Sequence, residues 1–244
     1  MKGLGKILVM AGLLVSVGSA AAGQGISISL GDEGSISAQT IQLILLITVL
    51  SLAPGIAIMI TCFPFMVTVL AILRQGIGLQ QSPPNMLIVS LALFLTYFVM
   101  EPVFTQAWSQ GISPLMENAI DLDEGIDLSI APFRDFMAGR VDADTFAAMA
   151  ALRPETNLST PSPDAPLSIL VPSFLLSEIA KAFQIGFLIF LPFLIIDLVV
   201  AAILMSMGMM MVPPAIVSLP FKLAFFVIAD GWTLIAGSLV RGYF

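Results

Sequence analysis

Between Glu33 and Arg74 the chain carries no charged residue, and residues 41–73 are almost wholly apolar. As one helix that apolar stretch would be about 50 Å long, against a hydrocarbon core of about 30 Å. It therefore has to kink or break, and Pro54-Gly55 and Pro64 are the expected places. A second apolar region begins near Ile169 and runs to the C-terminus, with only Glu178, Lys181, Asp197, Lys222, Asp230 and Arg241 charged. Two long helical segments fit it, at about 169–211 and 215–239, meeting at Val212-Pro213-Pro214. The first of these holds Pro172 and Pro192 and is again too long for a simple span.

These runs set the class. The 244 residues are 58% hydrophobic and 10% charged, where soluble domains carry about 25% charged residues. The chain reads as an all-α integral membrane protein: two long, proline-broken helical hairpins with a small polar helical insert between them. Residues 1–22 read as a signal peptide. Lys2 and Lys6 precede an apolar core at 7–17, and Ala20-Ala21-Ala22 offers a cleavage site. A retained anchor is the competing reading. An extracytoplasmic segment follows at 23–40, the first hairpin at 41–108, the insert at 109–167 and the second hairpin at 168–244.

The formal charge of −7 has one source. Residues 117–164 hold ten acids against three bases, Arg134, Arg140 and Arg153. An acidic, arginine-poor insert is expected outside the cytoplasm, with Arg74 marking a cytoplasmic turn. Six prolines interrupt the insert, while Phe133, Phe136 and Met137, then Phe146, Met149 and Leu152, recur at helical spacing. Short helices followed by a Pro/Ser-rich linker at about 154–166 are predicted. No basic face suggests nucleic acid.

The inventory also excludes chemistry. With no histidine and one cysteine, Cys62, a disulfide within the chain is impossible and nucleophile–histidine catalysis is ruled out. No carboxylates cluster at metal-ligand spacing in the apolar parts. Neither an enzyme nor a cofactor is expected.

One cluster stands out. Met205, Met207, Met209, Met210 and Met211 fall within seven residues, directly before Pro213-Pro214. Methionine is unbranched and polarizable, so it adapts to irregular surfaces. Paired prolines stop a helix, so the cluster sits at a forced bend. Core packing and a deformable seal both fit it.

Two stretches carry a family signature. One is Arg74-Gln75-Gly76-Ile77-Gly78-Leu79-Gln80-Gln81-Ser82-Pro83-Pro84-Asn85. The other runs from Ala182-Phe183-Gln184-Ile185-Gly186-Phe187 through Ile195-Ile196-Asp197-Leu198-Val199 and the methionines to Leu219-Pro220-Phe221-Lys222 and Asp230-Gly231-Trp232. Together they closely resemble the FliP family of flagellar type III secretion export-gate subunits, over nearly all of residues 41–244. Virulence injectisome homologues share these motifs, and the signal peptide and polar insert favour the flagellar branch.

The resemblance implies a non-enzymatic, pore-forming subunit in the bacterial inner membrane at the flagellar basal body. It implies a pentamer joined by FliQ-like and FliR-like subunits, working with FlhB-like and FlhA-like components to pass unfolded proteins. A stand-alone secondary transporter is the rival, but internal repeats and paired intramembrane charges are absent from the sequence.

The resemblance also assigns residues. Met209, Met210 and Met211 match the pore seal, with Met205 and Met207 left to ordinary packing. Glu178 and Lys222 match an intersubunit pair, against the local alternative of Glu178 with Lys181 on one helix. Asp197 is an intramembrane acid, open to packing, polar contact or proton relay. Gln80, Gln81, Ser82, Pro83, Pro84 and Asn85 form a turn that reverses the chain. Asp230 fits a helix end or a subunit contact.

Overall fold

The computed structural model describes residues 33–79, 83–153, 160–209 and 211–244. The signal peptide, Gln80, Gln81, Ser82 and Met210 lie outside them. All regular structure among the described residues is helical. The chain divides into two compact units, one ending at Ser51 and one beginning at Leu52.

Helix α1 (Glu33–Met59) does not end at Pro54, and from Thr40 onward its side chains are exposed. Of the two break points expected, Pro54-Gly55 lies within the helix, and the break comes at residues 60–62, directly before Pro64. Helix α2 (Phe63–Ile77) starts there with Pro64 in its first turn, where a missing N–H costs nothing. It ends at Gly78, whose φ of 88° is the left-handed conformation glycine adopts without strain.

Helix α3 (Asn85–Ala107) runs into a π-helical turn (Trp108–Ile112) and then α4 (Ser113–Met116). The insert forms α5 (Leu122–Arg140) and α6 (Ala143–Ala151). Met137 and Phe146 are buried as their spacing predicts, whereas Leu152 is exposed. Both pack with Ile169, Leu170 and Phe174 in one apolar cluster.

Helix α7 (Leu167–Ser206) is continuous over forty residues, passing Pro172 and Pro192 without ending. Its closest partner is α2. A Cβ at Gly186 would come within 2.4 Å of Ile72 Cδ1, so a larger residue here would force the Ile72 side chain to shift. Helices α8 (Pro214–Ile228) and α9 (Gly231–Arg241) follow, bent by 61° at Ala229 and Asp230. The long second segment expected at 215–239 is thus broken. Asp230 sits at the break with φ 46° and accepts a hydrogen bond from Thr233, a helix-end role.

The main core joins α2, α3, α7, α8 and α9 through Met66, Leu70, Ala92, Phe193, Phe226 and Ile235. Among the described residues three helical stretches are long and apolar enough to cross a membrane (Thr40–Met59, Asn85–Met116, Leu167–Ser206), and the bent pair α8/α9 makes a fourth if counted as one. Exposed leucine, isoleucine, valine and phenylalanine side chains along them mark surfaces built for lipid or protein rather than water.

Candidate pore loop and buried charge sites

Backbone chemistry shapes the methionine turn. Helix α7 stops because Gly208 enters the left-handed region, φ 74°. The Gly208 N–H then donates to the Met205 carbonyl at 3.1 Å, and the Met209 N–H to the Leu204 carbonyl at 3.0 Å. This double closure satisfies carbonyls that a helix end would leave unpaired. Pro213 takes an extended conformation and Pro214 opens α8.

Among the described residues no methionine side chain takes part in that wiring. Met209 is 42% exposed and Met211 97% exposed. Met205 and Met207, left to ordinary packing on sequence grounds, are more than half exposed in the single chain. Met207 and Met209 line one end of an apolar groove of about 500 Å³, with Val199 and Ile203 of α7 and Val217 and Phe221 of α8.

Asp197 and Lys222 tie together the two helices that flank this turn. Lys222 Nζ donates to Asp197 Oδ2 at 2.6 Å, and the Ser218 hydroxyl donates to Oδ1 at 2.5 Å. Ser218 and Lys222 are four apart on α8 and share a face. The lysine side chain is 7% exposed and the aspartate 38% exposed, so the carboxylate keeps contact with solvent.

Glu178 is held differently. It is wholly buried on α7, with Arg140 Nε and Nη2 from the end of α5 both 3.4 Å from Oε1. The Tyr243 hydroxyl donates to Oε2. Arg140 lies over the Tyr243 ring, 4.0 Å from its centre, and donates to the Gly242 carbonyl at 2.9 Å. Lys181 turns away from Glu178 and donates to the Arg140 carbonyl at 2.5 Å. One acid thus joins the insert, α7 and residues 242–243. Burial, then the neighbouring Glu178, pushes the Tyr243 phenol up, keeping it a neutral donor. Burial pushes the Cys62 thiol up to about 12, so it remains an unreactive thiol.

Within one chain the structure does not bring Glu178 and Lys222 together. Glu178 lies on α7, and Lys222 of α8 meets that helix at Asp197, about 28 Å from Glu178 along the axis at 1.5 Å per residue. Lys222 meets Asp197, a pairing of charges between two apolar helices that the sequence reading took to be absent, and Glu178 meets Arg140 and Tyr243. Arg140, Ser218 and Tyr243 are the partners that sequence reasoning missed. Each lies at least twenty residues away from the acid it serves, beyond any helical periodicity.

The described part of the reversing turn is closed by Arg74, which donates to Asn85 Oδ1 and to the Pro83 carbonyl at 3.3 Å. Pro84 caps α3 in an extended conformation, and its carbonyl accepts from Leu87 at 2.9 Å. Among the described residues no cluster of acids or thiols could hold a metal ion.

Comparison with known proteins places this arrangement. The model of the FliP family matches residues 46–239. The chain is similar to the flagellar biosynthetic protein FliP of Caulobacter vibrioides, 48% identical over 243 residues, which span 97% of this chain and 90% of that protein. It is likewise similar to the FliP proteins of Rhizobium meliloti, 49% identical over 86% of each chain, and of Bacillus subtilis. The Bacillus protein is 46% identical, over 88% of this chain and 96% of its own length. With a family match across most of its length and near-half identity to full-length relatives, the chain belongs to the FliP family.

Proposed function

We propose that this chain is a pore-forming core subunit of the flagellar type III protein export gate in the bacterial inner membrane. Several copies, a pentamer in this reading, assemble with FliQ-like and FliR-like subunits and present their methionine turns to a shared path for unfolded flagellar proteins. FlhB-like and FlhA-like components act beside it. The acidic insert faces the periplasm, and the role is transport rather than catalysis.

The observation that carries this reading is the turn after Ser206. It displays Met211 and much of Met209, while backbone hydrogen bonds and the left-handed Gly208 close the turn. A ring of flexible thioethers is apolar enough to exclude hydrated ions and soft enough to yield to a polypeptide. The test is ion conductance of the reconstituted assembly carrying Met209→Ala, Met210→Ala and Met211→Ala together. Leak of small ions through an intact assembly is the expected result. Wild-type conductance in an assembled triple variant would sink the seal.

Charge placement refines the assignment of Glu178 and Lys222. A contact between them across neighbouring copies would displace Arg140 and Tyr243 at one end and Asp197 at the other. The within-chain partners are the reading favoured here. Asp197 then acts as the fastening of the hairpin that carries the turn.

A further inference from the structure

Helices α8 and α9 meet at a 61° bend, and the chain holds them in different ways. Helix α9 buries Ile235 and Leu239 in the main core. Beyond its end Arg140 donates to the Gly242 carbonyl, and the Tyr243 hydroxyl donates to Glu178. Helix α8 buries one narrow stripe, Ser218, Lys222 and Phe226, spaced four residues apart. Its apolar anchors, Phe226 and the partly buried Leu223, lie in the half next to the bend. Toward the methionine turn the buried members are Ser218 and Lys222, and both are bonded to Asp197.

Close packing is missing at that free end. Helices α7 and α8 leave between them the apolar groove of about 500 Å³, lined by Val199 and Ile203 on one side and Val217 and Phe221 on the other. Faces that interlock leave no such space. Because Asp197 keeps 38% of its side-chain surface, water reaches the polar contact that holds this end and competes for it.

Both ends of α8 are built to turn. Asp230 holds φ 46°, and it and Ala229 are exposed, so the bend is not packed from outside. The Phe226 ring stands edge-on to Trp232 with centres 5.3 Å apart. A Cβ at Gly231 would come 2.2 Å from Phe226 Cε2, so the ring rests directly on that glycine. At the opposite end Gly208 holds φ 74° with open space around it. Hinges are a few residues at element ends that absorb backbone rotation, and elements that move have few buried apolar contacts.

We infer that α8 is a lever. It swings about Asp230 on the fixed base of α9, with Phe226 on Gly231 as its bearing, and its free end leaves α7 when Lys222 and Ser218 part from Asp197. The swing carries the Pro213-Pro214 end of the methionine turn with it and widens the apolar groove. The inference does not rest on the turn being a seal.

Distances between nitroxide labels test it, measured by double electron–electron resonance on the full-length protein in detergent. Cys62 is replaced by alanine, and labelled protein is diluted with unlabelled so that only distances within one chain are read. Labels at Leu198 and Ile216, both exposed, span α7 and the free end of α8, and labels at Leu188 and Leu234, also exposed, span α7 and α9. The first pair should show two distances. Asp197→Asn should raise the longer population about tenfold relative to the shorter, the scale of one hydrogen bond to a charged group. Ser218→Ala should shift it the same way by less. The second pair should show one narrow distance in all of these proteins. Tyr243→Phe loosens the fold elsewhere and should leave the first pair at its wild-type ratio. A single unshifted distance for the first pair in the wild type and in both variants would overturn the lever. Equal broadening of both pairs in Asp197→Asn would overturn it too, since that is general loosening. Ion conductance reads the seal and these distances read the lever, so either can fail alone.

Discussion

Helix α7 carries two acids, and the chain treats them in opposite ways. Glu178 is sealed from solvent and gathers two nitrogens of Arg140 and the hydroxyl of Tyr243. Asp197 keeps more than a third of its side-chain surface and makes do with one lysine and one serine. The difference follows from desolvation. An ionised carboxylate removed from water needs donors for its lone pairs and an opposite charge, whereas one that keeps water needs fewer protein partners. The first site fixes the fold around the insert and residues 242–243. The second fastens a hairpin and leaves it adjustable.

That contrast can be broken by measurement. The largest effect is expected for Glu178→Ala, which leaves Arg140 without its acid and should cost about 3–5 kcal/mol, read from chemical unfolding in detergent. Tyr243→Phe should cost about 1.5–3 kcal/mol, because a hydrogen bond to a charged group is lost while the ring stays under Arg140. Its pH dependence has a definite sign. The folded phenol is raised, so its contribution is complete below about pH 10, the ordinary tyrosine value, and is lost as pH rises through the folded pKa. Tyr243→Phe should therefore flatten the alkaline loss of stability.

At the other site the expected cost is smaller. Lys222→Met should cost about 1 kcal/mol, since Asp197 retains solvent and Ser218. The exchange Asp197→Lys with Lys222→Asp should restore what either single change loses, and the same exchange between 178 and 222 should not. Rescue by the 178/222 exchange would return the pair to the subunit interface. The smallest effect belongs to Asp142, the exposed cap of α6. The Thr145 backbone N–H holds its carboxyl below the usual range. Its contribution is present above the ordinary aspartate value of about 3.9 and fades as pH falls through the lower folded value. Asp142→Asn should reduce that acid-side fading, and an unchanged acid limb would remove Asp142 from the account.

The sequence shows where helices must change course when the cause is local. Pro64 opens α2, Pro213-Pro214 opens α8, and Met137 and Phe146 face inward as their spacing requires. It misleads at Pro54, Pro172 and Pro192, which α1 and α7 absorb without ending. Neighbouring helices and local adjustment can re-satisfy a carbonyl freed by proline, and no residue beside the proline announces that. The π-helical turn at Trp108 and the bend at Asp230 also have no composition to betray them.

Site residues divide the same way. Methionines beside a double proline are visible as a cluster, and so is an aspartate alone among isoleucine, leucine and valine. Who meets whom is not visible. Arg140 reaches Glu178 from the end of α5, and Tyr243 reaches it from beyond α9. Lys222 reaches Asp197 only because the chain folds back across the turn. Pairing of this kind is a property of topology, and a motif that matches two charges gives no hint that each has a nearer partner.

The backbone closure around Gly208 has a consequence for how such a loop changes over generations or at the bench. Shape and lining are set by separate parts: glycine and the carbonyls of Leu204 and Met205 hold the curve, while the side chains at 209 and 211 contribute nothing to it. The loop therefore behaves as a mount with exchangeable fittings. Leucine for a stiffer lining, or methionine sulfoxide for a wetter one, can be installed without redesigning the turn that carries it. Replacing Gly208 would remove the mount itself.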